Sequence, residues 1–425
     1  MRHAQSAGSV LLVLVGSLFA QDQRRFGADS PHRGLPRDAE SFAPYHQDSA
    51  HATNRIFRSL WLRQMAPAEV AAPADNPPLA QFRSGWVHQK RAGTADDTRW
   101  YGGDGRLLPL EGLAEPDAKA LAGLLGALTP DSTTVRELQA SKALAVLFQH
   151  DLLRAAERLR DTGANPELLP ALRRAAQAMA LPGPALATID DPLRTVLTSA
   201  DGATLRRELP QQLGGDDGSF HEILRRSTRL FDAEKTLLWS RVFLSHPDGK
   251  DALQALLPPA GSDGKGKGKG PTAPLGLRAV LVQGIVAFDR DGAPHATPLV
   301  FDLRTQVLVD RAPLSSDNPT FSRDGIDFGI WQLEREGLRR GAPAAFFRRI
   351  EADDRDLFRD YGTAKLTTYR GQCSLCHRLS DTPEPDLGGF PVLRPHVQAK
   401  FATTGDERLR LAEEQAARLW SAISK

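Results

Sequence analysis

The sequence predicts a mainly α-helical, multidomain protein, and three observations predict it. Apolar residues recur at helical spacing, with matching start and stop signals, through residues 116–256. A Val- and Ile-rich stretch at 277–310 reads as strands and stands behind a Gly/Lys-rich linker. Residues 343–425 return to helical spacing around the only two cysteines of the chain. The expected plan is a helical N-terminal domain, a small antiparallel β meander and a helical C-terminal domain. At 425 residues and 41% hydrophobic, the chain can build more than one core. A net charge of +2 with both signs interleaved lacks the clustered basic face that nucleic acid requires.

The elements follow in chain order. Arg2 and His3 precede an apolar run over residues 10–20 (VLLVLVGSLFA), and polar Gln21-Asp22-Gln23-Arg24-Arg25 comes next. This is the layout of a secretory signal peptide over residues 1–20, with cleavage expected after Ala20 although Leu18 is bulky for its place. The apolar core of 11 residues falls short of the ~20 needed to span a bilayer. The mature chain is therefore expected to be exported, periplasmic and without a transmembrane anchor; an uncleaved anchor is the other reading. Residues 21–115 are irregular, with Pro-rich loops around a helix at 52–65 and short aromatic runs at Trp86 and Trp100 that read as core.

From residue 116 the pattern is helical. Thr134-Val135-Arg136-Glu137 reads as a capping box that opens a helix running to about Arg160. Further helices are expected at 166–179, at 191–198 with Pro192 in the first turn, at 220–226 and at 232–245. A bundle of five or six helices over 116–256 is the simplest account. In it His150-Asp151 and His221 read as ordinary surface or core residues. Residues 257–276 form the linker; its Gly-Lys repeat is no phosphate loop, because no Ser or Thr follows the lysine.

Strands are expected at 277–288, 297–303 and 306–310, with Asp289-Arg290-Asp291-Gly292 as a turn rather than a calcium loop. The β-rich segment is bounded at 277–342 and ends in a short helix over 329–340. In the last segment, helices are expected from Pro343 to about Tyr361, over 365–372 and over 406–423.

Between the last two lies Cys373-Ser374-Leu375-Cys376-His377. Two thiols three positions apart can each form a thioether to a haem vinyl group, and the adjacent imidazole reaches the iron from the same side. The pattern predicts one covalent haem c, held by Cys373 and Cys376 with His377 as proximal ligand. A disulfide or thioredoxin-like pair would need a strand-to-helix junction, and structural zinc would need a second ligand pair. Arg378 and Arg394 are candidate contacts for the haem propionates, with solvated surface as the plainer reading of each.

The segment resembles the class I c-type cytochrome domain. Tyr369 stands four residues before Cys373, where that family has an aromatic in its leading helix, and Pro385-Asp386-Leu387-Gly388-Gly389 looks like its post-haem loop. The resemblance covers about the last fifth of the chain. It implies a cytochrome c-like helical haem domain at 343–425, in which the C-terminal helix crosses the leading one. Lys365 stands where the family usually has glycine.

The family also supplies a methionine after the motif, whereas Met1, Met65 and Met179 all precede it. His396, 19 residues beyond His377, is the first candidate for the sixth iron ligand. The others are Met179, Met65, His150 or His295 brought over from elsewhere, or an open site. Two axial ligands make an electron carrier with a redox partner protein; an open position makes peroxidase-like or small-ligand chemistry, an oxidoreductase if a catalyst. A third reading is an exported interaction protein in which the Cys-x-x-Cys-His site is structural.

Overall fold

The computed structural model describes residues 43–65, 86–88, 99–102, 115–202, 219–225, 237–257, 273–309, 326–349, 399–401 and 406–423, with Leu113 and Leu205 besides. Its elements in order are α1 (Ala52–Trp61), β1 (Leu62–Met65), β2 (Trp86–His88), β3 (Arg99–Gly102), α2 (Glu115–Gly126), α3 (Thr133–Gln139) and α4 (Lys142–Thr162). There follow α5 (Leu169–Met179), α6 (Gly183–Leu186), α7 (Pro192–Thr198), β4 (His221–Arg225), β5 (Leu238–Ser245) and α8 (Lys250–Leu256). The chain then forms β6 (Arg278–Phe288), β7 (Pro294–Leu308), β8 (Ile326–Leu333), α9 (Arg335–Arg340), β9 (Phe347–Arg349), β10 (Ala399–Phe401) and α10 (Asp406–Ile423).

The mainly α, multidomain expectation is corrected. The fold mixes α and β around a seven-stranded antiparallel sheet in the order β10-β4-β5-β6-β7-β8-β9, and β1-β3-β2 make a second, three-stranded sheet. The small meander is the middle of the large sheet: β6 and β7 pair over their lengths, with register shifts around Gly284. A Cβ on Gly284 would lie 2.1 Å from the Trp239 ring, so the strand needs a glycine there to pass under the indole. Trp239 Nε1 then donates to the Thr297 carbonyl at 2.8 Å, and the Thr297 hydroxyl to the Ile285 carbonyl at 2.8 Å.

The two helices expected at 220–226 and 232–245 are strands β4 and β5, paired with each other. Phe220, Ile223 and Leu224 fit helical and extended spacing alike over so short a run, and pairing with neighbours decided for strand. The helix expected over 329–340 is strand β8 followed by α9; the one expected from Pro343 opens instead on a 3₁₀ turn leading into β9, and its remainder over 350–361, like the helix expected over 365–372, lies outside the described residues. Among the helices, α5 and α7 hold as expected; Asp191 caps α7 by accepting from the N–H groups of Leu193 and Arg194. The long helix expected from Thr134 is two, because the chain turns at Ala140 and Ser141; Ser132, not Thr134, caps α3.

Among the described residues, parts of the C-terminal segment join the large sheet at both of its edges. Strand β9 borders β8 at one end of the sheet and β10 borders β4 at the other. The chain between Arg349 and Ala399 thus starts and ends at opposite edges, about 29 Å apart at the usual strand spacing. Helix α10 has the expected bounds and apolar stripe, but it packs across β5, β6 and β7 beside α4. Trp420 stacks on Phe288 (centroids 4.6 Å, 23°), and Glu413 accepts the Ala296 N–H at 2.8 Å. One continuous apolar core runs from α1 through the helices and the sheet to α10.

Candidate functional site

Cys373, Cys376, His377, Arg378, Arg394 and His396 lie outside the described residues, as do residues 1–20. Of the other candidates for the iron, Met65 ends β1. Met179 is 1% exposed in the helical core, and His150 is buried against Phe301, ring centroids 5.6 Å apart. His295 presents a partly exposed side chain, and its Nε2 is 2.8 Å from Asp289 Oδ2.

That His295–Asp289 pair closes the turn between β6 and β7. Asp289 Oδ1 accepts the N–H groups of Asp291 and Ala293, each at 2.9 Å, which leaves Oδ2 for His295. Burial raises the Asp289 carboxyl, but the His295 hydrogen bond and the two backbone donors outweigh it and hold it below the usual carboxylate range. Gly183 leans on the pair, where a Cβ would sit 3.3 Å from Asp289 Oδ2 and 3.4 Å from His295 Nε2.

The described residues gather a buried polar constellation where residues 43–61 seat on the rest of the fold. Helix α4 is buried nearly all round at its centre, and Gln149, His150 and Asp151 sit in that stretch. Gln149 is used up by the end of β6: Oε1 accepts the Phe288 N–H at 2.9 Å, and Nε2 donates to the Phe288 carbonyl at 2.9 Å. Asp151 meets Arg335, the first residue of α9. Arg335 donates from Nη2 to Asp151 Oδ1 at 2.5 Å and from Nε to Oδ2 at 3.1 Å. Tyr45 completes the triad, donating its hydroxyl to Asp151 and accepting from Arg335 Nε at 2.8 Å.

All three side chains are buried, and the guanidinium lies over the rings of Tyr45, Phe57 and Phe301. Burial pushes the Tyr45 phenol well above its usual range; Arg335 opposes this and Asp151 adds to it. For Arg335 burial works against the charge, yet Asp151 and Tyr45 more than offset it, so its charge is held more firmly than in water. The triad binds three distant parts of the chain. It offers no exposed group to a substrate, so its chemistry is structural.

Just outside the triad the chain makes a loop that buried Asn54 builds. Asn54 Oδ1 accepts the Tyr45 N–H at 2.9 Å and the His46 N–H at 3.3 Å, while Nδ2 donates to the carbonyls of His46 and Asp48 at 2.8 and 2.7 Å. Asn54→Ala is expected to cost about 2–3 kcal/mol, since it strips partners from several backbone groups at once. Denaturant unfolding measures that loss, and faster amide exchange at Tyr45 and His46 locates it.

This loop holds His46 and His51 ring to ring, centroids 4.0 Å apart and 24° between planes, with Glu137 of α3 3.4 Å from His51 Nε2. One ligand atom from each of the three lies within 4.8 Å of the others, so metal binding is the first chemistry to test. The geometry does not fit it. In-plane lone pairs of nearly parallel rings run side by side instead of converging on an ion about 2.1 Å away. His46 Nδ1 also accepts the Asp48 N–H at 3.1 Å, which places the ring proton on Nε2, whereas a ligating imidazole donates from its second nitrogen.

Sequence reasoning missed Tyr45, Asp151 and Arg335, and passed over His46 and His51. One signal was available: Gln149-His150-Asp151 stands between the apolar residues 143–148 and Leu152-Leu153 of one helix, and buried polar groups demand partners. No helix among the described residues is long and apolar enough to cross a membrane. No protein-family model, no curated protein and no solved structure matches this chain.

Proposed function

We propose that the chain is an exported, periplasmic c-type cytochrome carrying one covalent haem on Cys373 and Cys376, with His377 on the iron, and that it transfers electrons to or from a protein partner. One observation carries the reading: both cysteines in 425 residues fall inside a single Cys-x-x-Cys-His, and the chain opens with a signal-like segment. The donor set suits the group, since two thiols anchor the haem edge and the following imidazole ligates its iron. Bound haem supplies one-electron chemistry at the iron. The proposal rests on the motif and not on the class I arrangement, because α10, which that arrangement would fold over the haem, is committed to the sheet.

The second reading, an oxidoreductase or small-ligand binder with an exchangeable sixth position, draws on a specific observation. No methionine follows the motif, and Met179 and His150 are packed into the core. His396 is then the nearest protein candidate for the iron.

The test is expression with the haem-attachment machinery, followed by a denaturing gel stained for haem and a reduced visible spectrum. The expected result is a haem-staining band in the wild type that a Cys373→Ser/Cys376→Ser variant loses completely. Haem-free wild-type protein, beside a control cytochrome that is loaded, overturns the proposal. His396→Ala then tests the sixth position: a low-spin spectrum unchanged by that substitution removes His396 from the iron.

A further inference from the structure

We propose that His46 and His51 form a proton-operated latch, holding residues 43–51 against helix α3 while both rings are neutral and releasing them on acidification. The inference does not depend on haem.

Three features of the geometry carry it. First, the rings use their Nδ1 atoms inside the loop. His46 Nδ1 accepts the Asp48 N–H at 3.1 Å; His51 Nδ1 lies 3.4 Å from the Thr53 N–H and 2.8 Å from the Thr53 hydroxyl. A proton can add to a neutral ring only at that nitrogen. On His46 it would turn an acceptor into a donor aimed at another donor, so charging the ring breaks the turn that holds it.

Second, the rings are stacked at 4.0 Å, so a second positive charge would face the first at contact distance. Arg58 of α1 donates to the Ser49 carbonyl of the same loop at 2.8 Å; among the described residues the carboxylates that act on the pair are Glu137 from α3 and Asp48 from the loop itself. They favour protonation of His51, but burial and the charge of His46 outweigh them and hold His51 below the ordinary histidine range. The sign follows: the unfolded loop takes up protons more readily than the docked one. Docking is therefore strongest above about pH 6.5 and weakens as pH falls from there toward the lowered value.

Third, the latch sits on a consequential part of the chain. Tyr45, next to His46, is the residue that covers Asp151 and Arg335. Release of the loop uncovers a buried ion pair and its aromatic surround, giving an exported protein a face that opens in acid.

The experiment is hydrogen exchange on the full chain at about pH 7 and about pH 5, corrected for intrinsic rates. The expected result is at least a roughly tenfold loss of protection at Tyr45, His46 and Ala50 in acid, with α4 and β6 unchanged. A His46→Asn/His51→Asn variant keeps an acceptor near each Nδ1 that cannot be protonated, and its acid response is expected to vanish. Equal protection at both pH values in the wild type overturns the latch, and so does an acid response that survives in the variant. Protection of the loop by added Zn²⁺ at neutral pH would overturn it in favour of a metal site. Should the variant not fold, nitrogen spectra of the wild-type histidines decide: both rings are expected as the Nε2–H tautomer at neutral pH, and Nδ1–H on His46 contradicts the latch.

Discussion

Arg335→Met is expected to destabilise the protein by about 3–5 kcal/mol, the usual cost of removing one member of a buried ion pair. The loss is large because Asp151 would stay buried without its bidentate partner, and the Tyr45 hydroxyl would lose the Nε donor. Methionine roughly keeps the stem volume among Tyr45, Phe57 and Phe301, so the measured effect reports charge and hydrogen bonds more than a cavity. Urea unfolding followed by fluorescence gives the value. Removing the carboxylate as well, in Arg335→Met/Asp151→Leu, should recover a good part of it, because no buried charge then lacks a partner. A loss below about 1 kcal/mol in the single variant would mean that Asp151 finds water or another cation, against its buried placement.

Gly337→Ala is expected to cost about 3 kcal/mol, at the upper end for overpacking. An added Cβ would stand 1.8 Å from the Ala345 carbonyl oxygen and 3.1 Å from the Phe346 nitrogen, and backbone atoms cannot step aside as a side-chain tip can. Helix α9 would have to leave the 342–346 segment, straining the bonds from Glu334 N–H to the Phe346 carbonyl (2.8 Å) and from Ala342 N–H to the Gly337 carbonyl (3.2 Å). Because α9 also carries Arg335, the damage should reach the triad. Gly123→Ala is the control: it lies in α2 with nothing near its would-be Cβ, so the same substitution should stabilise by about 0.5–1 kcal/mol. Thermal melts of the two variants should move in opposite directions.

Long, strongly periodic elements were legible in the sequence. Helix α10 has the bounds expected of it, α7 stands where Asp191 and Pro192 put it, and α5 lies within the expected 166–179 behind a 3₁₀ turn at Pro166. The β6–β7 turn was readable from Asp289-Arg290-Asp291-Gly292, and Gly292 takes the positive φ of 77° that such a turn needs. Short elements without a cap such as Asp191 gives α7 were not legible. Residues 221–225 and 326–333 carry apolar residues at spacings that serve a helix or a strand, and only the neighbouring strand settles which.

The site divides in the same way. The proposed haem reading is local: Cys373, Cys376 and His377 fall within five residues, and the reading rests on their spacing. The triad and the latch are non-local. Tyr45 and Arg335 are 290 residues apart, and nothing in either neighbourhood names the other.

By itself, then, the sequence placed the periodic helices, and it holds the signal-like segment and the Cys-x-x-Cys-His motif from which export and haem attachment are proposed, because each is read from residues close together in the chain. The tertiary structure decided that residues 221–225 and 238–245 of the expected helical bundle are strands of one large antiparallel sheet, that the last helix packs on that sheet, and that Asp151 is paired and not idle. The reason is physical: strand pairing and buried ion pairs take their free energy from partners far along the chain, and that term overrides local propensity wherever a segment is short or a charge is buried.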